Sequence, residues 1–324
     1  MKTARLANGF LYVKVSTYLR SLRHASNLDK SLLDDFLLTK PTIAQALQYG
    51  TELLRPVQVA AALEAEILLG HCLRKNRAYL RTWPEKHLSE FVYSQYQQLI
   101  LRRQQGEPIA YLTGYKEFWD LHLRVTPAVL IPRPETEHLV ELALARIPAE
   151  VQWQIADLGT GSGAVALAIA KERPRCQITA IDISTDALEI AQENAAQNQI
   201  HNIEFRLSRW FEALAEERFH IIVANPPYIA ENDPHLQQGD LRFEPTQALS
   251  AKAGGLNELQ HIIYHAPRYL TEPGWLLLEH GYQQGDTVTA MLTERGFYEV
   301  QCHADYAHLE RVSIGQFRQA NAGV

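Results

Sequence analysis

Residues 41–106 carry apolar side chains at the spacing of amphipathic helices. Apolar residues recur three or four positions apart, which places them on one face of a helix. Pro56 interrupts the first run, and Gly106 lies just beyond a helix predicted over Leu88–Arg103. The apolar faces of this small helical domain are predicted to consist of Ile43, Ala46, Leu47, Leu53, Leu54, Val59, Ala62, Leu63, Ile67, Leu68, Phe91, Tyr96, Leu99 and Ile100.

Between residues 109 and 131 the apolar period changes to alternation at every second position. Asp120 stands at the predicted turn, so this stretch is expected to form a β-hairpin. We assign residues 107–133 to a hairpin linker. Its Phe118 and Trp119 are expected to pack against the helical domain.

From residue 134 to residue 320 short apolar strands alternate with helical segments. Strands are predicted at Trp153–Leu158, Gln177–Ile181, Ile203–Leu207, His220–Ala224, Trp275–Glu279, Tyr298–His303 and Arg311–Phe317. Helices are predicted at Glu137–Ile147, Ala164–Lys171, Thr185–Asn198, Leu256–Tyr269 and Gln284–Arg295. Strands separated by helices form a parallel doubly wound sheet, whereas the last two strands are too close for a crossover helix and should pair antiparallel. We therefore expect an α/β, Rossmann-like seven-stranded sheet with an antiparallel last strand, the layout of class I methyltransferases.

Composition narrows the class of protein. The 324 residues are 46% hydrophobic and 21% charged with a net charge of −6, which is typical of a soluble globular protein and argues against non-specific nucleic-acid binding. Cys72, Cys176 and Cys302 lie far apart, which indicates thiols in a reducing compartment. No apolar run is long enough for a membrane span. We expect a cytoplasmic monomer without a metal site.

Residues 1–40 differ from the rest of the chain. They contain seven Lys or Arg and three Asp, a balance of +4. They carry no apolar stretch followed by a small-residue cleavage site, so a secretory signal is not predicted. A basic arm or organelle transit peptide is one interpretation, and a dispensable, disordered N-terminal extension is the one we favour.

A glycine-rich loop follows the first strand of the predicted sheet. It reads Asp157-Leu158-Gly159-Thr160-Gly161-Ser162-Gly163. Glycines permit close approach of a ligand to the backbone, and the start of the following helix offers unpaired N–H groups. Asp182 ends the next strand, 19 residues after Gly163, where a carboxylate can bind two ribose hydroxyls. The pattern predicts an adenosine-type cofactor, either a dinucleotide or S-adenosylmethionine.

The fourth strand ends in the tetrapeptide Asn225-Pro226-Pro227-Tyr228. This D/N-P-P-Y/F signature is typical of methyltransferases that act on a planar amide or an exocyclic amine, whose delocalised lone pair is a poor nucleophile. If the Asn225 side-chain oxygen and the Pro226 carbonyl accept both N–H hydrogens, electron density builds on the nitrogen. The prolines stiffen the loop, and Tyr228 can stack on a planar substrate. The tetrapeptide favours S-adenosylmethionine over a dinucleotide.

Further motifs lie between residues 106 and 312, within a resemblance that covers residues 41–317. They are Gly106-Glu107-Pro108-Ile109-Ala110-Tyr111-Leu112-Thr113-Gly114, Phe118-Trp119, Leu130-Ile131-Pro132-Arg133-Pro134-Glu135-Thr136-Glu137, Arg242-Phe243-Glu244-Pro245, Leu278-Glu279-His280-Gly281 and Glu310-Arg311-Val312. With the glycine loop and the tetrapeptide, they resemble the protein-(glutamine-N5) methyltransferases of class I peptide chain release factors, the HemK/PrmC family. The resemblance implies methyl transfer from S-adenosylmethionine to the glutamine N5 of the release factors' Gly-Gly-Gln motif.

The resemblance also implies roles for individual residues. Cofactor contacts are implied at Gly159, Thr160, Gly161, Ser162, Gly163, Asp182, Trp210 and Asn225. Glutamine binding is implied at Asn225, Pro226, Pro227 and Tyr228, with Asn225, Pro226 and Tyr228 catalytic. The helical domain would help dock the release factor.

One position departs from the family pattern. The family commonly has an acid just before the aromatic residue of the stretch after the third strand, and this chain has Arg209 before Trp210. An acid there can accept a hydrogen bond from the adenine amino group, whereas Arg209 cannot. Trp210 can still stack on adenine, so we expect weaker cofactor binding rather than lost activity.

Other functions stay open from the sequence. An adenine-N6 nucleic-acid methyltransferase would use the same tetrapeptide, but this acidic chain lacks an evident basic face. A ribosomal-protein glutamine methyltransferase and a non-catalytic binding protein with this fold are further alternatives. Arg133 and Glu135 either act at the cleft or form a structural ion pair. Glu279 either approaches the pocket or is solvated.

Overall fold

The computed structural model describes residues 40–318. One compact unit ends at Gln104 and a second begins at Gln105. The predicted extension, apart from Lys40, lies outside the described residues. Within residues 40–318, no helix has the length and apolar character needed to cross a membrane.

The first unit is helical. Its helices are Ile43–Leu54, Ala61–Leu73, Arg77–Thr82 and Glu90–Gln104. Thr42 begins the first helix with a capping box, in which its side chain accepts from the Gln45 backbone N–H and the Gln45 side chain accepts from the Thr42 N–H. The interior residues of this unit include Ile43, Ala46, Leu53, Leu54, Ala65, Leu68, Leu69, Leu80, Tyr96 and Ile100.

Four predicted apolar-face positions are exposed instead. Val59, Ala62, Leu63 and Phe91 face solvent, and the side chain of Phe91 is 69% exposed. Val59 precedes the helix that begins at Ala61, and Phe91 lies in the first turn of its helix. Periodicity alone does not show where a helix begins, so it wrongly predicts these four positions on the buried face.

The second unit contains the strands and the remaining helices. Its strands are β1 Tyr115–Phe118, β2 Leu121–Arg124, β3 Gln154–Leu158, β4 Gln177–Asp182, β5 Ile203–Leu207, β6 Phe219–Ala224, β7 Ile229–Ala230, β8 Ser250–Ala251, β9 Leu270–Glu279, β10 Tyr298–Ala304 and β11 Glu310–Phe317. Its α-helices are Ile109–Thr113, Glu137–Leu144, Ala164–Glu172, Thr185–Gln197, Thr246–Leu249, Lys252–Gly255, Asn257–His265 and Gly285–Glu294. Short 3₁₀ turns cover Pro134–Thr136, Pro234–Gln237, Leu241–Phe243 and Ala266–Arg268.

The main sheet has seven strands in the order β10-β11-β9-β6-β3-β4-β5. Strands β9, β6, β3, β4 and β5 are parallel, while β11 pairs antiparallel with both β9 and β10. The predicted class I methyltransferase arrangement is therefore confirmed. The predicted hairpin is present as β1 and β2, although it follows a short helix, Ile109–Thr113, that the sequence did not reveal.

Side chains that alternate along β3 enter separate cores on the two faces of the sheet. Ile155 packs in one core, and Ala156 and Leu158 pack in the other. Phe118 is fully buried in the first core, beside Leu139 and other residues of the second unit. The expectation that Phe118 packs against the helical domain was therefore wrong, because the apolar face of the hairpin covers the sheet core.

Candidate active site

The glycine loop lies at the carboxyl end of β3, where parallel sheets commonly bind ligands. Gly159, Gly161 and Gly163 have φ angles of +78°, +55° and +85°, which favour glycine. The N–H groups of Gly159 and Thr160 both donate to the Ile181 carbonyl at 2.8 Å, which ties the loop to β4. A Cβ added at Gly161 would meet no atom within 4 Å, so the loop borders open space at that point.

Asp182 ends β4, and its carboxylate is hydrogen-bonded to the glycine loop. Its Oδ2 accepts from the Gly161 N–H at 2.8 Å, and its Oδ1 accepts from the Ser184 N–H at 2.9 Å. Burial raises the pKa of Asp182 above its ordinary value, while these N–H groups lower it. A carboxylate has lone pairs to spare after two such bonds, so Asp182 can also accept from ligand hydroxyls.

Asp157, at the start of the loop, is buried and supports the loop. It is 2% exposed, and its Oδ2 accepts from the Thr160 hydroxyl at 2.7 Å. Burial raises the pKa of Asp157 to about 7. Asp157 therefore fixes the loop from beneath rather than facing a ligand.

A cavity of about 280 Å³ opens between these elements. This volume is close to the lower end of small-molecule pockets, roughly 300 Å³. It brings together residues from seven segments of the chain. Those that bear on the chemistry are Gly159, Gly161, Asp182, Arg209, Trp210, Asn225, Pro227 and Glu258.

Trp210 and Glu258 form one wall of this cavity. The Trp210 Nε1–H donates to Glu258 Oε2 at 2.6 Å, and the indole lies against the position of Gly159, whose added Cβ would be 3.3 Å from Cζ3. Glu258 Oε1 accepts from Asn257 Nδ2 at 3.0 Å and is 3.6 Å from Arg209 Nη2. A carboxylate thus stands beside Arg209, supplied by the helix Asn257–His265. Sequence reasoning missed Glu258 because 48 residues separate it from Trp210.

The tetrapeptide leaves the end of β6 and borders the same cavity through Asn225 and Pro227. Asn225 Nδ2 donates to Thr136 Oγ1 at 3.2 Å, and the Tyr228 hydroxyl donates to Glu279 Oε1 at 3.3 Å. After Tyr228 the chain continues as β7, which pairs with β8.

The backbone of Tyr228 is held as firmly as its side chain. Gln284 Nε2 donates to the Tyr228 carbonyl at 3.1 Å. A Cβ added at Gly255 would lie 2.0 Å from the same carbonyl oxygen, and Gly255 has a φ of +88°. A side chain at position 255 would therefore displace the tetrapeptide.

Glu279 ends β9 beneath the tetrapeptide and is fully buried. Burial raises its pKa to about 7, and the neighbouring side-chain hydroxyls of Thr136 and Tyr228 oppose that rise. The interpretation of Glu279 as a solvated strand end is therefore excluded.

Arg133 forms an ion pair with Glu244, whose side chain is fully buried. Glu244 Oε2 also accepts from the Ile131 N–H at 3.0 Å. Arg133 therefore takes part in an ion pair, with Glu244 rather than Glu135 as its partner. Glu135 lies near enough to Glu279 for its charge to raise the pKa of Glu279.

Asn194 joins the hairpin to the glycine loop and is fully buried. Its Oδ1 accepts from the Arg124 N–H at 2.6 Å, and its Nδ2 donates to the carbonyls of Arg124 and Ser162 at 3.0 and 2.9 Å. Every hydrogen of this amide is thereby used.

The predicted site residues occupy two neighbouring groups. Gly159, Gly161, Asp182, Trp210, Asn225 and Pro227 border the cavity, while Thr160, Ser162 and Gly163 support the loop from the interior. Pro226 is buried, and Tyr228 is partly buried against Glu279. In the described part of the chain, no group of three or more His, Cys, Asp or Glu is arranged to hold a metal ion.

The cavity fits an adenosine-type group. Gly161 borders open space, a carboxylate stands at the end of β4, and an indole forms a flat wall. The cavity continues to Asn225, so a reactive group beyond the ribose could reach the tetrapeptide.

Comparison with known proteins identifies the relatives of both units. Residues 137–239 match the family described as "Methyltransferase small domain", and residues 45–114 match "PrmC N-terminal domain". The "Release factor glutamine methyltransferase" of Vibrio cholerae is 48% identical over 279 residues, which are 86% of this chain and 97% of the relative. The protein of the same name from Escherichia coli K12 is 50% identical over 256 residues, which are 79% and 92% of the two chains.

One solved structure shares the fold. The hMettl16 catalytic domain, in complex with MAT2A 3'UTR hairpin 6, is 14% identical with a TM-score of 0.50, over 73% of this chain and 84% of that one. At this identity the likeness concerns the fold alone.

Proposed function

Because this chain belongs to the release factor glutamine methyltransferase family, we propose that it methylates the N5 amide nitrogen of the glutamine in the Gly-Gly-Gln motif of class I release factors. The observation that carries this proposal is the cavity that runs from the glycine loop to Asn225, bordered by the tetrapeptide. An adenosyl cofactor and a planar amide could meet there.

The methyl donor is S-adenosylmethionine, which supplies an electrophilic methyl group on a positively charged sulfur when bound. Gly159 and Gly161, which carry no side chain, would let its ribose and amino-acid portions approach the backbone closely, and the Asp182 carboxylate would accept from the ribose hydroxyls. Trp210 would lie on the adenine ring. Thr160, Ser162 and Gly163 would keep the loop in shape from the interior.

The acceptor amide would be held by the tetrapeptide. Asn225 Oδ1 and the Pro226 carbonyl accept its two N–H hydrogens, which raises electron density on a nitrogen that is otherwise a poor nucleophile. Pro227 and Tyr228 confine the amide plane. The nitrogen lone pair would form the new C–N bond as the bond between the methyl carbon and the cofactor sulfur breaks. The electrons of that bond would stay on the sulfur, and one amide proton would pass to water.

The helical unit, residues 40–104, would help dock the release factor, and the chain would act as a monomer in the cytoplasm. Residues 45–114 match the "PrmC N-terminal domain", so this unit is shared with the family. We assign catalysis to the second unit.

The test is transfer of labelled methyl to a purified class I release factor. A variant release factor with the Gly-Gly-Gln glutamine changed to alanine serves as control, and an adenine-containing oligonucleotide runs in parallel. Label on the wild-type factor that is lost in the variant is the expected result. Label on the oligonucleotide alone would overturn the proposal in favour of nucleic-acid methylation.

A further inference from the structure

An asparagine side chain has an acceptor end and a donor end of nearly the same shape, so a neighbour must fix which end faces a ligand. In the structure, Asn225 Nδ2 donates to Thr136 Oγ1 at 3.2 Å. This bond leaves Oδ1 as the outward end. The function proposed above requires that oxygen, because only an oxygen can accept from the substrate amide.

Thr136 alone could not make this choice. A hydroxyl has one proton and two lone pairs, so it can accept from Nδ2 or donate to Oδ1 of a flipped Asn225. Thr136 is 4% exposed, so water does not readily take its proton. The orientation of Asn225 is fixed only if the Thr136 hydroxyl donates its hydrogen bond to a group other than Asn225.

Glu279 provides that acceptor. Above the pKa of about 7 that burial gives it, Glu279 is ionised and can only accept hydrogen bonds, and it is fully buried beside Thr136 and Tyr228. Its Oε1 receives the Tyr228 hydroxyl at 3.3 Å. Within residues 40–318, its Oε2 has no hydrogen-bond partner. This oxygen can therefore accept a hydrogen bond from the Thr136 hydroxyl.

We propose that Thr136 and Glu279 are positioning residues that orient the Asn225 amide for glutamine methylation. The Thr136 hydroxyl donates a hydrogen bond to Glu279, its oxygen accepts from Asn225 Nδ2, and Oδ1 of Asn225 faces the substrate. Glu279 also holds the Tyr228 hydroxyl, so one buried carboxylate sets both polar ends of the tetrapeptide. This inference rests on the function proposed above.

The proposal is tested with the full chain carrying Thr136→Val, with Thr136→Ser as the matched control. Valine keeps the shape of threonine without the hydroxyl, and serine keeps the hydroxyl. The affinity for S-adenosylhomocysteine is measured by calorimetry, and kcat and KM are measured with a release factor. The side-chain NH₂ signals of Asn225 are recorded by ¹⁵N NMR without substrate.

We expect Thr136→Val to lower kcat/KM for the release factor by about tenfold or more, the scale of a lost transition-state hydrogen bond. Thr136→Ser should stay within about threefold of the wild type, and both variants should bind S-adenosylhomocysteine as the wild type does, since the hydroxyl contacts Asn225 rather than the glycine loop. The Asn225 NH₂ signals should shift in the valine variant only.

Two results would overturn the proposal: wild-type activity in Thr136→Val, or equal losses in the serine and valine variants. Asn225 NH₂ signals that are the same in all three proteins would also overturn it. Failure of the proposed function is distinct from these, because it would show as no methyl transfer by the wild-type chain, while the NMR comparison would still report the orientation of Asn225.

Discussion

Replacing Glu258 by alanine should weaken cofactor binding through Trp210. Glu258 is the acceptor of the indole N–H at 2.6 Å, and its side chain is 18% exposed. A hydrogen bond to a charged group contributes about 1.5–3 kcal/mol, and partial exposure reduces this to about 1–2 kcal/mol. Trp210 also has a φ of +48°, an uncommon backbone conformation that depends on its surroundings. Without the acceptor the indole loses its fixed orientation, so the dissociation constant should rise about 5- to 30-fold.

The assay is calorimetric titration with S-adenosylhomocysteine, with a thermal melt of each protein to confirm folding. Glu258→Gln keeps an oxygen that can accept from the indole, so its dissociation constant should rise less than that of the alanine variant. Glu294→Ala, at an exposed helix end, serves as the control and should bind as the wild type does. A Glu258→Ala protein that melts normally and binds within about twofold of the wild type would refute the reasoning.

Three further predictions concern stability. Gly163→Ala should cost about 2–4 kcal/mol in urea unfolding, because φ is +85° and the added Cβ would lie 3.0 Å from Leu167 Cδ1; an unchanged midpoint would refute the strain argument. Arg133→Met should cost about 3–5 kcal/mol, because it leaves the buried Glu244 carboxylate without its cation; a loss below about 1 kcal/mol would contradict this. Burial raises the pKa of Glu279 from 4.5 to about 7, so the folded state binds the proton more tightly, and the stability that this group contributes below pH 4.5 is lost as the pH rises through about 7. Glu279→Gln should therefore lose less stability than the wild type between about pH 5 and pH 8, and the difference should reach roughly 3 kcal/mol. If the melting temperatures of the two proteins change with pH in the same way, the raised pKa of Glu279 is wrong.

The sheet could be predicted from the sequence because its signals are local. Each parallel strand is an apolar run followed by a helical period, and the short spacing of the last two strands indicates their antiparallel pairing. The glycine loop and Asp182 could be found for the same reason. The spacing between them places both at the carboxyl ends of adjacent strands, β3 and β4.

The side-chain contacts that support the site could not be predicted, because they join residues that are far apart in the sequence. Thr136 and Asn225 are 89 residues apart, and Trp210 and Glu258 are 48 apart. No period or spacing rule connects such pairs. The exposure of Phe91 also escaped prediction, since an apolar residue in the first turn of a helix can satisfy the period without reaching the core.

The buried side-chain amide of Asn194 limits where this chain can be cut to make a chimera with another protein. Its three hydrogen bonds go to Arg124 in the hairpin and to Ser162 in the glycine loop. A fragment that starts after the hairpin would leave two of these bonds unmade inside the protein, next to the loop that shapes the cavity. A chimera that exchanges the helical unit for that of another protein should therefore be joined near Gln105, so that the hairpin stays with the sheet it braces.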